Sequence, residues 1–116
     1  MVVHKDPQSL RKYLEWILEG ISDVEKFVTW YKENTFLDDK KTLNACLMTL
    51  VHIWETVTRI NYLYPDFELT NKQYIKGMRN FIAHDYMSIR PKIIWLTITK
   101  SLPVLKKEIE EAMQNL

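Results

Sequence analysis

An all-α fold, a bundle of four or five helices, is predicted for this 116-residue chain by two observations. Only two glycines and four prolines punctuate it, and its apolar residues recur at three- and four-residue steps with no sustained alternation. The apolar fraction of 47% is enough to build one core over that length, which predicts a single domain spanning residues 1–116.

The first helix is expected from about residue 7 to about 33. Asp6 is placed as N-cap and Pro7 at the first helical position, followed by Leu10, Leu14, Ile17, Ile21, Val24, Val28 and Tyr31 on one face. Asn34 to Asp38 reads as a turn. A second long helix follows, with Leu43, Leu47, Leu50, Trp54, Val57 and Ile60 on one face, packing antiparallel to the first. After Pro65 and Asp66, Thr70 with Gln73 three residues on resembles a capping box, and Tyr74, Ile75, Met78 and Ile82 mark the buried face of a short third helix. Pro91 suits the start of a last helix bearing Ile94, Trp95, Ile98, Leu102, Leu105 and Ile109. Pro103 has no N–H to donate, so that helix should be kinked or split near it. Trp16, Trp30, Trp54 and Trp95 are read as filling the core or a subunit interface.

Several function classes lack support. The apolar runs are far shorter than the roughly 20 residues that cross a bilayer, and residues 1–9 are too polar for a signal peptide, which predicts a cytoplasmic protein. Cys46 is the single cysteine and reads as a small buried apolar residue. There is no Gly-rich phosphate loop, no His-Glu-x-x-His helix and no Gly-x-Ser-x-Gly elbow, so neither a metal site nor a cofactor is expected.

Charge is unevenly divided along the chain. Residues 1–69 sum to −3, residues 70–107 to +7 and residues 108–116 to −3. The basic stretch suits a phosphate-rich partner and equally a solvated helix face; Lys72, Lys76, Arg90 and Lys92 are its candidate RNA contacts.

Chemistry concentrates in the run Gly77-Met78-Arg79-Asn80-Phe81-Ile82-Ala83-His84-Asp85-Tyr86. On an unbroken helix Arg79 and His84 would stand about 140° apart at 3.6 residues per turn, whereas a helix ending near Ala83 lets His84 and Tyr86 fold back toward Arg79. A permanent cation beside an imidazole can grip one phosphate and move a proton near neutral pH, which suits RNA cleavage by the 2′-hydroxyl. The same side chains could instead cap a helix C-terminus. His52, on the second long helix, reads as a structural or interfacial histidine, and His4 as a terminal one.

The segment resembles the Arg-x4-His-x-Tyr motif of the HEPN superfamily, in particular the HepT-like toxins that pair with a minimal nucleotidyltransferase (MNT) antitoxin. Gly77-Met78-Arg79-Asn80 and Ala83-His84-x-Tyr86 are similar to its central block, and Ile94-Trp95 with Leu102-Pro103-x-Leu105 to its last helix. The chain departs from the family at Trp54-Glu55-Thr56, where a Gly-Glu-Ala step is common, and at Thr70-Asn71-Lys72-Gln73, where Pro-Trp is common. The resemblance implies a homodimer, or a higher oligomer, whose two motifs face one cleft and cut RNA without a metal. Catalysis would fall to Arg79, Asn80 and His84. Tyr86 would receive AMP from the nucleotidyltransferase, which would silence the toxin. The alternative is a HEPN-type module that binds or regulates a nucleotidyltransferase without cutting.

Overall fold

The computed structural model describes residues 7–67, 69 and 90–116. Every regular element among them is helical: α1 (Pro7–Phe27), α2 (Glu33–Leu37), α3 (Lys40–Leu63), α4 (Pro91–Leu96) and α5 (Leu102–Gln114), the last two joined through a π-helical turn over Thr97–Ser101. This is the expected all-α bundle. The short third helix and the Asp6 cap lie outside the described residues.

Helix α1 buries Leu10, Leu14, Ile17, Ile21 and Val24, the first five positions of the predicted stripe. It stops at Phe27 instead of running to about 33. Its last bonds tighten, with Thr29 N–H donating to the Lys26 carbonyl at 3.4 Å and Tyr31 N–H to that of Val28 at 2.9 Å. The run Val28-Thr29-Trp30-Tyr31 is β-branched and aromatic, and such residues lose rotamer freedom against a preceding helical turn.

Where a turn over Asn34 to Asp38 is predicted, the chain instead forms α2. Thr35 closes its start: the Lys32 N–H donates to Thr35 Oγ1 at 2.9 Å, and the hydroxyl donates to the Lys32 carbonyl at 3.0 Å. A helix of five residues is not stable by propensity. Phe36 supplies what propensity cannot, being fully buried with its ring centroid 5.1 Å from that of Trp95.

Asp39 is the N-cap of α3. Its carboxylate accepts from the Thr42 N–H at 3.1 Å and from the Thr42 hydroxyl at 2.9 Å, and Tyr31 donates its hydroxyl to the same group. These donors hold the Asp39 carboxyl below its ordinary value of 3.8, the Tyr31 bond contributing most. Along α3, Cys46, Leu47, Leu50, Ile53, Trp54, Val57 and Ile60 are buried. Burial pushes the Cys46 thiol up to about 11.

The packing directions follow from which ends meet. Tyr31, beyond the end of α1, reaches Asp39 and Thr42 at the start of α3, and a Cβ at Gly20 would lie 2.9 Å from Ile53 Cγ1 and 3.6 Å from Thr49 Cγ2 further along. The two long helices are therefore antiparallel, as expected. Against α5, Arg11 donates to the carbonyls of Met113 and Leu116, while Glu25 pairs with Lys106 at 3.2 Å, so α1 and α5 are antiparallel too.

The split near Pro103 is resolved as a π-turn. Leu102 N–H donates to the carbonyl of Thr97, five residues back, and Pro103 sits in the first turn of α5, where its missing N–H is tolerated. Ile94, Ile98, Leu102, Leu105 and Ile109 are buried on either side of the turn, so the inward face survives it. Thr97, also buried, satisfies its hydroxyl on the Ile93 carbonyl at 2.8 Å.

The tryptophans divide. Trp54 is buried and Trp95 packs against the core, but Trp30 is 93% and Trp16 47% exposed, so neither of these fills the core of this chain. Both lie on or after the outer side of α1, where the inward stripe is complete without them. No helix among the described residues is long and apolar enough to cross a membrane.

Candidate functional site

The motif residues Arg79, Asn80, His84 and Tyr86, and the candidate contacts Lys72 and Lys76, lie outside the described residues. The structure shows how the chain is held on either side. Tyr64 caps the end of α3, its N–H donating to the Ile60 carbonyl at 2.8 Å, and Tyr64 and Leu69 are both buried in the common core. On the far side Arg90 precedes α4 in an extended conformation (φ −70°, ψ 128°), Pro91 opens the helix, and Ile94 is fully buried. The stretch carrying the motif thus leaves and rejoins one hydrophobic cluster.

Of the expected RNA contacts, Arg90 and Lys92 are described, and both are exposed at the start of α4. Pro91 opens the helix, and with Ile94 buried and Ile93 packed against the core, Arg90 and Lys92 fall on the solvent side. Two exposed cations at the start of a helix, a few residues after the motif in sequence, suit contact with a phosphate backbone.

A second group of polar side chains meets between α1 and α3. Tyr13, Trp16, His52, Glu55, Thr56 and Arg59 line a hollow of about 220 Å³. The four α3 residues are spaced i, i+3, i+4 and i+7, which places them on one face, and His52, Glu55 and Arg59 are exposed. Tyr13 and Trp16 meet edge to face, with centroids 5.4 Å apart and planes at 75°. The structural half of the sequence reading of His52 is corrected here: it lies on the outer face of α3, because Ile53 and Trp54 occupy the inner one. The signal that could have found the hollow was the 52-55-56-59 spacing; that α1 lays two aromatic rings beside it is a tertiary fact. Among the described residues no three His, Cys, Asp or Glu side chains come together at metal-binding range.

A model of the family described as Ribonuclease HepT-like matches residues 17–112, which include the whole Arg79 to Tyr86 run. The chain belongs to the HepT-like family. Proteins similar to this HepT-like chain include the "Probable ribonuclease HepT" of Thermococcus cleftensis, 30% identical over 108 residues that cover 90% of this chain and 96% of that protein. A "Putative RNase" of Caldanaerobacter subterraneus subsp. tengcongensis is 30% identical over 106 residues, covering 90% of this chain and 95% of the relative. Another protein so named, from Methanocaldococcus jannaschii, is 31% identical over 114 residues, covering 94% and 91%. No solved structure matches the chain. The indole of Trp54, on α3, is taken into the core.

Proposed function

We propose that this HepT-like chain is an endoribonuclease toxin that cleaves RNA without a metal, at a site shared by two copies. The observation that carries the reading is the family match over residues 17–112 together with the complete Arg79-x4-His84-x-Tyr86 motif inside it. The relatives named as ribonucleases support the same reaction class.

The chemistry follows from the residue types. The 2′-hydroxyl gives its proton to a neutral imidazole, its oxygen forms a bond to phosphorus, and the bond from phosphorus to the 5′-oxygen breaks as that oxygen takes up a proton. The products are a 2′,3′-cyclic phosphate and a free 5′-hydroxyl. Accepting one proton and donating another calls for two groups, and His84 of each copy supplies one. Arg79, always charged and able to bond two oxygens at once, stabilises the extra charge on the phosphorane. Asn80 orients the phosphate. Arg90 and Lys92, exposed at the start of α4, hold the strand, together with Lys72 and Lys76.

Silencing is assigned to Tyr86 and an MNT-type nucleotidyltransferase. The phenol oxygen attacks the α-phosphorus of ATP, pyrophosphate leaves, and the attached AMP adds bulk and negative charge where RNA must bind.

The test is cleavage of a labelled cellular RNA pool in EDTA by the wild type and by His84→Ala, with end-group analysis. Cyclic phosphate ends from the wild type and none from the variant are expected. A folded, unmodified, dimeric wild type that binds RNA and leaves it intact would replace this reading with a binding module.

A further inference from the structure

The hollow between α1 and α3 brings together three unlike recognition elements. Trp16 and Tyr13 present aromatic surface, Arg59 and His52 present nitrogen donors, and Glu55 presents an acceptor. At about 220 Å³ it falls short of the roughly 300–1,000 Å³ that encloses a whole small ligand, so it suits one unit of a polymer. An anion alone would not call for the indole, and an apolar ligand would not call for Arg59 and Glu55. A nucleotide carries all three complements: a phosphate, a π-face and a base edge with N–H donors.

We infer that this hollow is a subsite for one unpaired nucleotide of a single-stranded RNA, and that it favours guanine. The base stacks on Trp16, whose 47% exposure leaves ring surface open to it. Arg59 takes the phosphate, in a fork that matches two of its oxygens. The Glu55 carboxylate accepts hydrogen bonds and donates none. Guanine offers its carboxylate two adjacent donors, the N1–H and the exocyclic amino group, whereas uracil offers a single N–H between two carbonyl oxygens that repel it. Trp16 also lines a second, open hollow with Glu15 and Glu19, whose charge disfavours a phosphate there and directs a strand toward Arg59.

The choice of RNA as the polymer rests on the ribonuclease reading, so the test separates the two. Probes are the 2′-O-methyl trinucleotides ApGpA and ApUpA, which cannot be cleaved through the 2′-oxygen, followed by equilibrium dialysis. ApGpA is expected to bind the wild type several-fold more tightly than ApUpA. Trp16→Ala should weaken both by about ten-fold, from a stacking contribution of roughly 1–3 kcal/mol per base. Glu55→Gln should abolish the preference while leaving ApUpA binding no weaker, and Arg59→Gln should weaken both and flatten their salt dependence. Circular dichroism confirms folding, which these outward-facing positions should not disturb. Equal binding of the two probes by wild type, or unchanged binding by folded Trp16→Ala, overturns the subsite. Preferential ApGpA binding by a protein that cuts no RNA would keep the subsite and remove the ribonuclease; cleavage with unselective probe binding would do the reverse.

Discussion

Phe36→Ala is the sharpest test of how this fold is held. The ring is fully buried, packs against Trp95 and is the only core residue in α2, a helix too short to persist alone. Truncating a buried phenylalanine costs about 3–5 kcal/mol in lost transfer energy and cavity, a range that already includes the ring pair. For a chain of this length each kcal/mol moves the midpoint by roughly 4 °C, so Tm should fall by about 12–20 °C. That is a large part of the roughly 5–15 kcal/mol that holds a domain together. The assay is thermal unfolding for Tm and urea unfolding for the free energy, each followed by circular dichroism and by tryptophan fluorescence, with Leu37→Ala as the internal control. Leu37 is the next residue and is 38% exposed, so its truncation should cost under about 1 kcal/mol. If Phe36→Ala and Leu37→Ala prove equally mild, then residues 33–37 are a surface turn and the account of α2 is wrong.

Other consequences are as specific. Asp39→Asn should lower stability at pH 7 but matter less in acid: the folded carboxyl lies below its ordinary 3.8, so its contribution is complete above that value and is lost as pH falls through the lower folded one. A difference in Tm between wild type and variant that stays constant from pH 7 to pH 2 would contradict this. Gly20→Ala should be net destabilising by about 1 kcal/mol. The helix gains about 1 kcal/mol from alanine, but the new Cβ would stand 2.9 Å from Ile53 Cγ1, and Ile53 is itself buried, so overpacking of roughly 1–3 kcal/mol outweighs the gain. Cys46, buried with its thiol pushed up to about 11, should resist iodoacetamide at pH 8 until the protein unfolds, which mass spectrometry over a urea series would read. If Arg90 and Lys92 each contact a phosphate, replacing both by Gln should reduce the slope of log K against log salt for single-stranded RNA by about 1.4.

What could be read from the sequence was whatever a single element settles by itself. The inward stripes of α1 and α3 were legible because burial repeats with the helical period, and the face from Ile94 to Ile109 was legible for the same reason. Pro91 and Pro103 announced a helix start and an interruption because proline lacks an N–H wherever it sits. The Arg79 to Tyr86 run was legible as a concentration of chemistry and carried the resemblance to the HepT-like family, and the match over residues 17–112 bears out the family.

Tertiary structure decided what depends on partners distant in the chain. The conversion of a predicted turn into α2 follows from Phe36 packing on Trp95, nearly sixty residues away, a gain that no local propensity contains. The exposure of Trp16 and Trp30 is likewise a matter of which side of α1 meets α3 and α5, since composition favours burying any indole. The hollow beside Trp16 arises only because two antiparallel helices align Tyr13 and Trp16 with His52, Glu55 and Arg59. Local periodicity assigns each residue a direction; only the packing of one helix against another determines what it faces there.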